Sequence, residues 1–536
     1  MKFNEQKFGS LAVALLGVVL GVVLTMTFYS GKGLFGSSKT KVSYSGWQKL
    51  NVILQEVQKK YVDTLDVPAI TDAAVVAALA ELDPHSIYLP PEDLKESETE
   101  LAGNFDGIGI QFNVPNDTAI ILEVIPGGPS EKVGLQQGDR ILKIDGKNVA
   151  GVKFPQDSMV KMMRGLAGTK VTVTVGRGPE TIPFEITRGK IPLHCIDASF
   201  MIDATTGYIR LSKFSRTTYK EFSEAASKLL KDGMKRLVID LRDNTGGYLD
   251  QAQHLANMFL AAGDEIVYLE GRKYPREDIT ANGKGALRDV ELAVLINENS
   301  ASSSEIFAGA IQDNDRGIVV GRRSFGKGLV QEPVFFTDGS GIRITIARFY
   351  TPSGRCIQKP YGKDYQYDIY NRYVDGELFN SDSVKVDSTL AFKTRGGRTV
   401  YGGGGIIPDV FVPMDTTKAT KFYVACNRKA TQMRFASQML DTYKAELGRI
   451  EDFSTLDSFL DRIDIPGKFL SFAKTKDGLT PEPGEWEQTK DYMVPQLRAL
   501  VGRYSKLGDN AFYRMYLPMD ETINAAMKED FKVKLE

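Results

Sequence analysis

The hydrophobic positions change their spacing several times along the chain, and each change predicts a different structure. The first run, LAVALLGVVLGVVLTMTF, extends over 18 uncharged residues from Leu11 to Phe28. A helix that spans a membrane needs about 17–25 such residues, whereas the core of a cleaved signal peptide has about 7–15. We therefore predict a transmembrane helix, with a cleaved signal peptide as the alternative. Lys2 and Lys7 precede the run and favour a cytoplasmic N-terminus, so the rest of the chain would lie outside the cytoplasm.

Further changes of pattern divide the remainder of the chain. Apolar residues recur at helical spacing in Trp47–Tyr61 and Thr71–Leu82, after a linker rich in Gly and Ser. Short alternating strands with glycine turns run from Asn104 to Arg188. Strands and helices alternate from Ile191 to Pro413, which is typical of an α/β layer fold. The chain beyond Asp415 is predicted to be mostly helical.

These patterns predict an α/β multidomain chain. Its segments are a cytoplasmic stub with a transmembrane anchor and linker (1–45), an N-terminal helical segment (46–103), a β-rich domain (104–190), an α/β core (191–414) with a polar, tyrosine-rich insertion (361–398), and a helical C-terminal region (415–536). The length of 536 residues agrees with about three or four folded domains.

Composition and charge exclude several classes of function. Hydrophobic residues make up 42% and charged residues 25%, which is ordinary globular composition. The net charge of -1 gives no reason to expect a nucleic-acid partner. Cys195, Cys356 and Cys426 are far apart and lack CxxC spacing. We therefore expect neither a disulfide framework nor a zinc site, and no other metal or cofactor.

A cluster of serines follows the apolar strand VELAVLI and precedes an amphipathic helix. Ser302 lies in this strand-to-helix turn, where its hydroxyl would be exposed and the next backbone N–H groups would lie at a helix N-terminus. That geometry suits a nucleophile with an oxyanion hole. The spacing has a structural alternative, because Ser302 and Glu305 also form the S-x-x-E pattern of a capping box.

A serine nucleophile needs a base, and histidine is scarce in this chain. His85, His194 and His254 are the three histidines, and none has the sequence position of a triad partner. A lysine can act instead if burial lowers its pKa from about 10.4 toward neutrality. Lys327 suits this role because glycines flank it and apolar runs bracket it.

The same lysine completes the pattern GxxxxGK in Gly321–Lys327, which is typical of a nucleotide-binding phosphate loop. Such a loop requires Ser or Thr at the next position, where this chain has Gly328. It also requires a helix to follow, where LVQEPVFF predicts a strand. We therefore reject a nucleoside triphosphatase.

The segment NENSASSSEIFAGAIQDNDRGIVVGRRSFGKGLVQ resembles the active-site region of the C-terminal processing (tail-specific) peptidases. The resemblance implies Ser302 as nucleophile, Lys327 as base 25 residues later, and Gln331 as the residue that hydrogen-bonds and positions the lysine. It also implies an oxyanion hole that includes the N–H of Ser303, whose side chain would matter little. The resemblance covers roughly residues 47–413 and implies a crotonase-like α/β peptidase core.

Two other segments resemble elements of this family. In LVIDLRDNTGGYL, Thr245 replaces the family's Pro, and the resemblance implies that Gly246 or Gly247 gives the second oxyanion donor. We favour Gly246. LDPHSIYLPPEDL, before the β-rich segment, also looks like a family element. Such peptidases often assemble through their terminal helices, so we also expect a homodimer.

The β-rich segment resembles a PDZ domain. FDGIGIQF contains Gly107, Ile108, Gly109 and Ile110, which match the loop that offers backbone N–H groups to a peptide carboxylate. GLQQGDRILKIDG matches the turns of that family. In PDZ domains the peptide adds as a strand to the sheet edge. The expected partners are therefore proteins or peptides with exposed C-termini.

Two functions follow from these resemblances. The first is a membrane-anchored serine endopeptidase of the C-terminal processing type, on a bacterial cell membrane with its catalytic part outside the cytoplasm. Its PDZ domain would capture tails or gate access. The alternative is a proteolytically inactive, membrane-tethered PDZ scaffold, which the absence of Ser302, Lys327 or Gln331 would have favoured.

Overall fold

A computed structural model describes residues 46–533, apart from residues 116 and 363. The predicted transmembrane run, Leu11–Phe28, lies outside these residues. Within the part that is described, no helix combines the length and the apolar character needed to cross a membrane. The chain divides into two compact units at the boundary between Ala74 and Val75.

Helices dominate both ends of the described chain. The helical spacing in Trp47–Tyr61 and Thr71–Leu82 corresponds to the first two helices, and the region beyond Asp415 is mostly helical, as predicted. The α-helices are α1 (Gly46–Lys60), α2 (Val67–Ala80), α3 (Pro91–Ala102), α4 (Pro129–Lys132), α5 (Gln156–Met163), α6 (Thr218–Lys231), α7 (Leu249–Asn257), α8 (Ser303–Asp313), α9 (Asp368–Val374), α10 (Lys421–Arg428), α11 (Thr431–Leu447), α12 (Phe453–Asp461), α13 (Ile465–Asp477), α14 (Glu485–Gly502), α15 (Asp509–Tyr516) and α16 (Glu521–Lys528).

Strands occupy the middle of the chain. Between residues 104 and 192 they are accompanied only by the short helices α4 and α5, and between residues 196 and 321 they alternate with the longer helices α6, α7 and α8. This change agrees with the predicted passage from a β-rich domain to an α/β core. The strands are β1 (Ile87–Leu89), β2 (Asn104–Gly107), β3 (Ile110–Asn113), β4 (Ala119–Val124), β5 (Arg140–Ile144), β6 (Lys147–Asn148), β7 (Lys170–Arg177), β8 (Glu180–Thr187), β9 (Gly189–Pro192), β10 (Ile196–Met201), β11 (Thr206–Leu211), β12 (Arg236–Asp240), β13 (Glu265–Glu270), β14 (Glu277–Thr280), β15 (Glu291–Ile296), β16 (Ile318–Gly321), β17 (Leu329–Phe335), β18 (Gly341–Tyr350), β19 (Ala391–Lys393), β20 (Thr399–Tyr401) and β21 (Val410–Phe411).

A six-stranded sheet forms the centre of the α/β core, in the order β10-β11-β12-β15-β16-β21. β10 is antiparallel to β11, and every later neighbour is parallel. Successive side chains of a strand point to opposite faces. Ile239 and Val294 are buried with Phe307 of α8, whereas Val238 is buried with Ile523 of α16. Both faces of the parallel sheet are therefore covered, which explains the continuous apolar runs in its strands.

The connections that follow β12, β15 and β16 leave the carboxyl ends of neighbouring parallel strands. They comprise residues 241–248, 297–302 and 322–328. Loops at this edge of an open α/β sheet are where such folds bind ligands. The sheet therefore places the loops that contain Gly246, Gly247, Ser302 and Lys327 side by side at its carboxyl edge.

A second sheet has the order β1-β18-β13-β14, with β17 also paired to β18. β17 is the strand predicted after the GxxxxGK pattern. A strand therefore follows this pattern, where a phosphate loop requires a helix. The pairing of β17 with β18 shifts register between Val330 and Gln331. Such a bulge redirects the side chains around it. β1 pairs with Gly341–Arg343 of β18, which brings the segment before β1 to this sheet.

The β-rich region forms a sheet in the order β3-β4-β5-β7-β8, with β6 on β5. Ile121, Ile141 and Val173 are fully buried in its core together with Met159 of α5. β2 pairs with β9 at the two ends of this region, where the chain enters and leaves it. β3 is at one end of the strand order, so it is an edge strand.

The C-terminal helices have a core of their own and also contact both neighbouring regions. Arg140 of β5 forms an ion pair with Asp441 of α11 at 2.6 Å. The Arg242 guanidinium, just beyond β12, donates to both carboxylate oxygens of Asp520 at 2.9 and 2.6 Å. Arg242 also pairs with the fully buried Asp240. The C-terminal region is thus attached to the central sheet by buried charges.

Candidate active site

The backbone is strained at Ser302, the residue immediately before α8. Its φ of 56° and ψ of -114° lie in a region that residues other than glycine rarely adopt. α8 begins at Ser303, so the predicted strand, turn and helix are present. A sharp strand-to-helix turn of this kind presents a serine hydroxyl at the sheet edge.

The glycine loop after β12 packs directly against this turn. A Cβ atom on Gly246 would lie 2.8 Å from the Cβ of Ser302, which is too close for any side chain. The Ser303 hydroxyl donates a hydrogen bond to the carbonyl oxygen of Gly247 at 2.9 Å. This side chain therefore connects the two loops, a contact that the sequence did not predict.

The N–H groups of the two glycines differ in availability. The Gly246 N–H donates to Asn244 Oδ1 at 2.9 Å, so the donor that the sequence favoured is already engaged. Among the hydrogen bonds of the described chain, none uses the N–H of Gly247 or of Ser303. The geometry therefore leaves the N–H groups of Gly247 and Ser303 available to an oxyanion, whereas that of Gly246 already has an acceptor.

A fully buried carboxylate, that of Glu305, joins the serine turn to the lysine turn. Its Oε2 accepts hydrogen bonds from the N–H of Ser302 at 2.9 Å and of Lys327 at 2.8 Å. Its Oε1 accepts from the Ser324 hydroxyl at 2.5 Å and from the Gly326 N–H at 2.7 Å. Because two of these bonds end on one oxygen, the backbone nitrogens of Ser302 and Lys327 are at most about 6 Å apart. The predicted capping box is therefore present, and its carboxylate also holds the turn that carries Lys327.

Burial shifts the pKa of both charged groups at this junction. It raises the pKa of Glu305, against the hydrogen bonds that the carboxylate accepts. It lowers the pKa of Lys327, and the nearby positive charge of Arg343 lowers it further, against the attraction of Glu305 and Asp83. A lowered pKa is what a lysine base requires, since only the neutral amine accepts a proton.

The segment before β1 lies beside the lysine, which the sequence reasoning did not foresee. The Gln331 amide donates to the carbonyl oxygen of His85 at 2.6 Å, so its described side-chain bond goes to this segment rather than to Lys327. Asp83 Oδ1 accepts from the N–H groups of His85 and Ser86 at 2.8 and 2.9 Å, which fixes the segment. The sequence signal for it was LDPHSIYLPPEDL, which gave no location.

The glycine loop of the β-rich domain leads into its edge strand. Gly109 has a φ of 79°, and its carbonyl oxygen accepts from the Ile125 N–H at 3.0 Å. The carbonyl oxygen of the buried Ile108 accepts from the Ser130 N–H at 3.0 Å. Ile110 then begins β3, whose outer edge has no partner strand in this sheet. An extended peptide could pair with that edge.

Known proteins resemble this chain over most of its length. The family model described as Peptidase family S41 matches residues 205–369, and the model described as PDZ domain matches residues 107–187. A probable CtpA-like serine protease of Staphylococcus aureus (strain COL) is 34% identical over 382 residues, which covers 71% of this chain and 75% of that protein. The protein of that name from Staphylococcus epidermidis is 33% identical and covers 67% and 71%, respectively.

Two solved structures show further likeness. The photosystem II D1 C-terminal processing protease is 26% identical, with a TM-score of 0.38, over 69% of this chain and 87% of its own. The PDZ domain of a carboxy-terminal protease from Vibrio cholerae, solved in complex with a peptide, is 31% identical, with a TM-score of 0.16. It matches 17% of this chain and 99% of its own.

Proposed function

Because the chain belongs to peptidase family S41 and is a C-terminal processing serine protease with a PDZ domain, we propose that Ser302 and Lys327 form its catalytic dyad. The observation that carries this proposal is the Glu305 carboxylate, one oxygen of which accepts from the backbone N–H of both residues. The strained turn at Ser302 and the lowered pKa of Lys327 support the roles of nucleophile and base.

The reaction begins when the Ser302 oxygen attacks a peptide carbonyl carbon and the neutral amine of Lys327 takes the hydroxyl proton. The carbon–nitrogen bond then breaks, and Lys327 gives this proton to the leaving amine. A water molecule attacks the acyl-enzyme with Lys327 again as base. The proton returns to Ser302, so the enzyme is regenerated and two peptides leave.

The tetrahedral intermediates carry a negative oxygen, which the N–H groups of Gly247 and Ser303 stabilise. Both donors lack another described partner, and the Ser303 N–H lies at the N-terminus of α8, where the helix dipole favours negative charge. The hydrogen bond from the Ser303 hydroxyl to the Gly247 carbonyl holds the two donors at a fixed separation.

The PDZ domain captures the substrate's C-terminal tail. The N–H groups of residues 107–110 bind the terminal carboxylate, and the tail pairs with the open edge of β3. We also propose that residues 11–28 anchor the protein in a bacterial cell membrane with the peptidase outside the cytoplasm, and that the protein forms a homodimer. The uncharged 18-residue run and the preceding lysines support the anchor and its orientation.

Cleavage of an unstructured protein substrate tests the dyad. Ser302→Ala and Lys327→Met in the full chain should each lose at least about 10³-fold in kcat/KM, while Lys228→Met, which removes an exposed lysine on α6, should not. Full activity in either dyad variant would refute the assignment. Wild-type protein that binds tail peptides but never cleaves them would favour the alternative of an inactive scaffold.

The role of the tail is tested with paired substrates. A peptide with a free C-terminal carboxylate and its C-terminally amidated form differ only in the group that the PDZ loop would bind. The free acid should be cleaved faster. Equal rates would contradict tail capture without affecting the dyad.

A further inference from the structure

The insertion at 361–398 was predicted without a role, and it packs against the turn that carries the lysine. The buried guanidinium of Arg372, on α9, donates to the carbonyl oxygens of Ser324 and Phe325 at 2.8 and 3.2 Å. Arg323, on the turn itself, forms a 2.5 Å ion pair with Glu377 of the insertion. The insertion therefore packs against the turn that carries Lys327 and is not a detached loop.

A path of hydrogen bonds through the insertion joins two residues that follow the lysine. The Gly328 N–H donates to Gln358 Oε1 at 2.9 Å, and the amide of Gln358 donates to the Tyr365 hydroxyl at 3.3 Å. That hydroxyl is 2.6 Å from His85 Nε2. The carbonyl oxygen of His85 accepts from the amide of Gln331 at 2.6 Å. Gly328 and Gln331, which follow Lys327 by one and four positions, are thus connected through Tyr365 of the insertion.

Gln358 donates to the tyrosine oxygen, which leaves the tyrosine's own proton available for another acceptor. The hydroxyl and His85 Nε2 are 2.6 Å apart, and in the Nδ1–H tautomer of the imidazole the tyrosine donates and Nε2 accepts. Burial and the charges of Lys327 and Lys359, against that of Asp83, lower the pKa of His85 to about 4. The imidazole is therefore neutral at ordinary pH, so one of its two ring nitrogens is a hydrogen-bond acceptor.

A second contact fixes the tyrosine ring in the same place. The ammonium group of Lys359 lies 3.8 Å from the centroid of the Phe325 ring and 4.4 Å from that of Tyr365. Asp368, at the start of α9, pairs with this ammonium at 3.1 Å. A cation between two rings resists displacement of either ring. The tyrosine hydroxyl is thus presented to His85 from a rigid position.

We propose that Tyr365 is a positioning residue for Lys327, acting through His85 and the carbonyl oxygen that Gln331 binds. The inference rests on the proposed function, in which Lys327 is the base. Tyr365 takes no proton during the reaction. Its hydroxyl holds the side chain of His85, and the carbonyl oxygen of His85 holds the amide of Gln331. The segment from Gly328 to Gln331 then keeps the Lys327 amine directed at Ser302.

Tyr365→Phe removes the hydroxyl and leaves the ring. We expect kcat to fall about tenfold or more with little change in KM, because a small misplacement of a catalytic group is enough for such a loss. Tyr370→Phe is the matched control, since Tyr370 lies in the same insertion and is 65% exposed. This control should keep the wild-type kcat.

A titration of His85 separates positioning from simple loss of structure. In the inactive Ser302→Ala background, the imidazole signals of the three histidines can be followed by NMR, with His85 assigned by its replacement. If the tyrosine hydroxyl donates to Nε2 and so stabilises the neutral ring, its removal should raise the pKa of His85 above about 4. In the Tyr370→Phe protein it should not change.

The outcomes distinguish the two proposals. A wild-type kcat or an unchanged His85 titration in Tyr365→Phe would overturn the positioning role, whereas full activity of Lys327→Met would overturn the proposed function instead. If Tyr365→Phe does not fold, His85→Gln and His85→Leu replace it. Glutamine keeps an acceptor for the hydroxyl, so His85→Gln should be the more active of the two, and equal activity would overturn the proposal.

Discussion

The change Glu305→Gln keeps the size of the side chain and replaces one acceptor oxygen by an NH₂ group. Glu305 accepts from three backbone N–H groups, those of Ser302, Gly326 and Lys327, and from the Ser324 hydroxyl. The hydroxyl can turn and accept a bond from the new amide. A backbone N–H cannot, so at least one N–H faces another donor in either orientation of the amide.

In the more favourable orientation, the amide oxygen accepts from the N–H groups of Ser302 and Lys327, and the Gly326 N–H has no acceptor. A hydrogen bond to a charged group contributes about 1.5–3 kcal/mol. Burial raises the pKa of Glu305, so removal of the charge recovers part of its desolvation cost. We therefore expect a loss of about 2 kcal/mol in the free energy of unfolding, and a Tm lower by about 4–8 °C for a core of this size.

Thermal unfolding and steady-state cleavage of one peptide substrate measure the two consequences. Besides the lower Tm, kcat should fall about tenfold to a hundredfold, because the serine and lysine turns lose the group that holds them together. Glu224→Gln, on an exposed site of α6, is the control and should behave as wild type. A Glu305→Gln protein with the Tm and kcat of the wild type would refute this reasoning.

The pH dependence, the oxyanion loop and the C-terminal region give three more expectations. Burial lowers the pKa of Lys327 below 10.5, and only the neutral amine acts as base, so kcat should fall as the pH falls through that pKa; a flat profile from neutral to alkaline pH would contradict this role. Ser303→Ala breaks the bond to the Gly247 carbonyl and should lower kcat about threefold to tenfold at constant KM in steady-state assays, whereas an unchanged kcat would show that the bond is dispensable. Asp520→Ala removes one carboxylate from Arg242, which keeps Asp240, and should cost about 1–3 kcal/mol in denaturant unfolding; an unchanged midpoint would show that this ion pair does not anchor the C-terminal helices.

Local pattern was sufficient for the elements that carry the chemistry. The apolar run VELAVLI and the segment SSEIFAGAIQD predicted a strand and a helix with Ser302 between them, and β15 and α8 confirm both. LVQEPVFF predicted a strand where a phosphate loop needs a helix, and β17 is that strand. These signals succeed because alternation and helical periodicity depend on neighbours within a few residues.

Residue types and spacing in the sequence alone determined the candidate nucleophile and base, the catalytic family that they resemble, and the PDZ loop. The tertiary structure decided that Glu305 binds both turns, that Gly247 rather than Gly246 has an available N–H, and that His85 and Tyr365 meet beside the lysine. The two members of the last pair are 280 positions apart in the chain. Contacts of this kind depend on how separate strands and loops pack and on which buried donors find acceptors, and neither property is a function of local sequence.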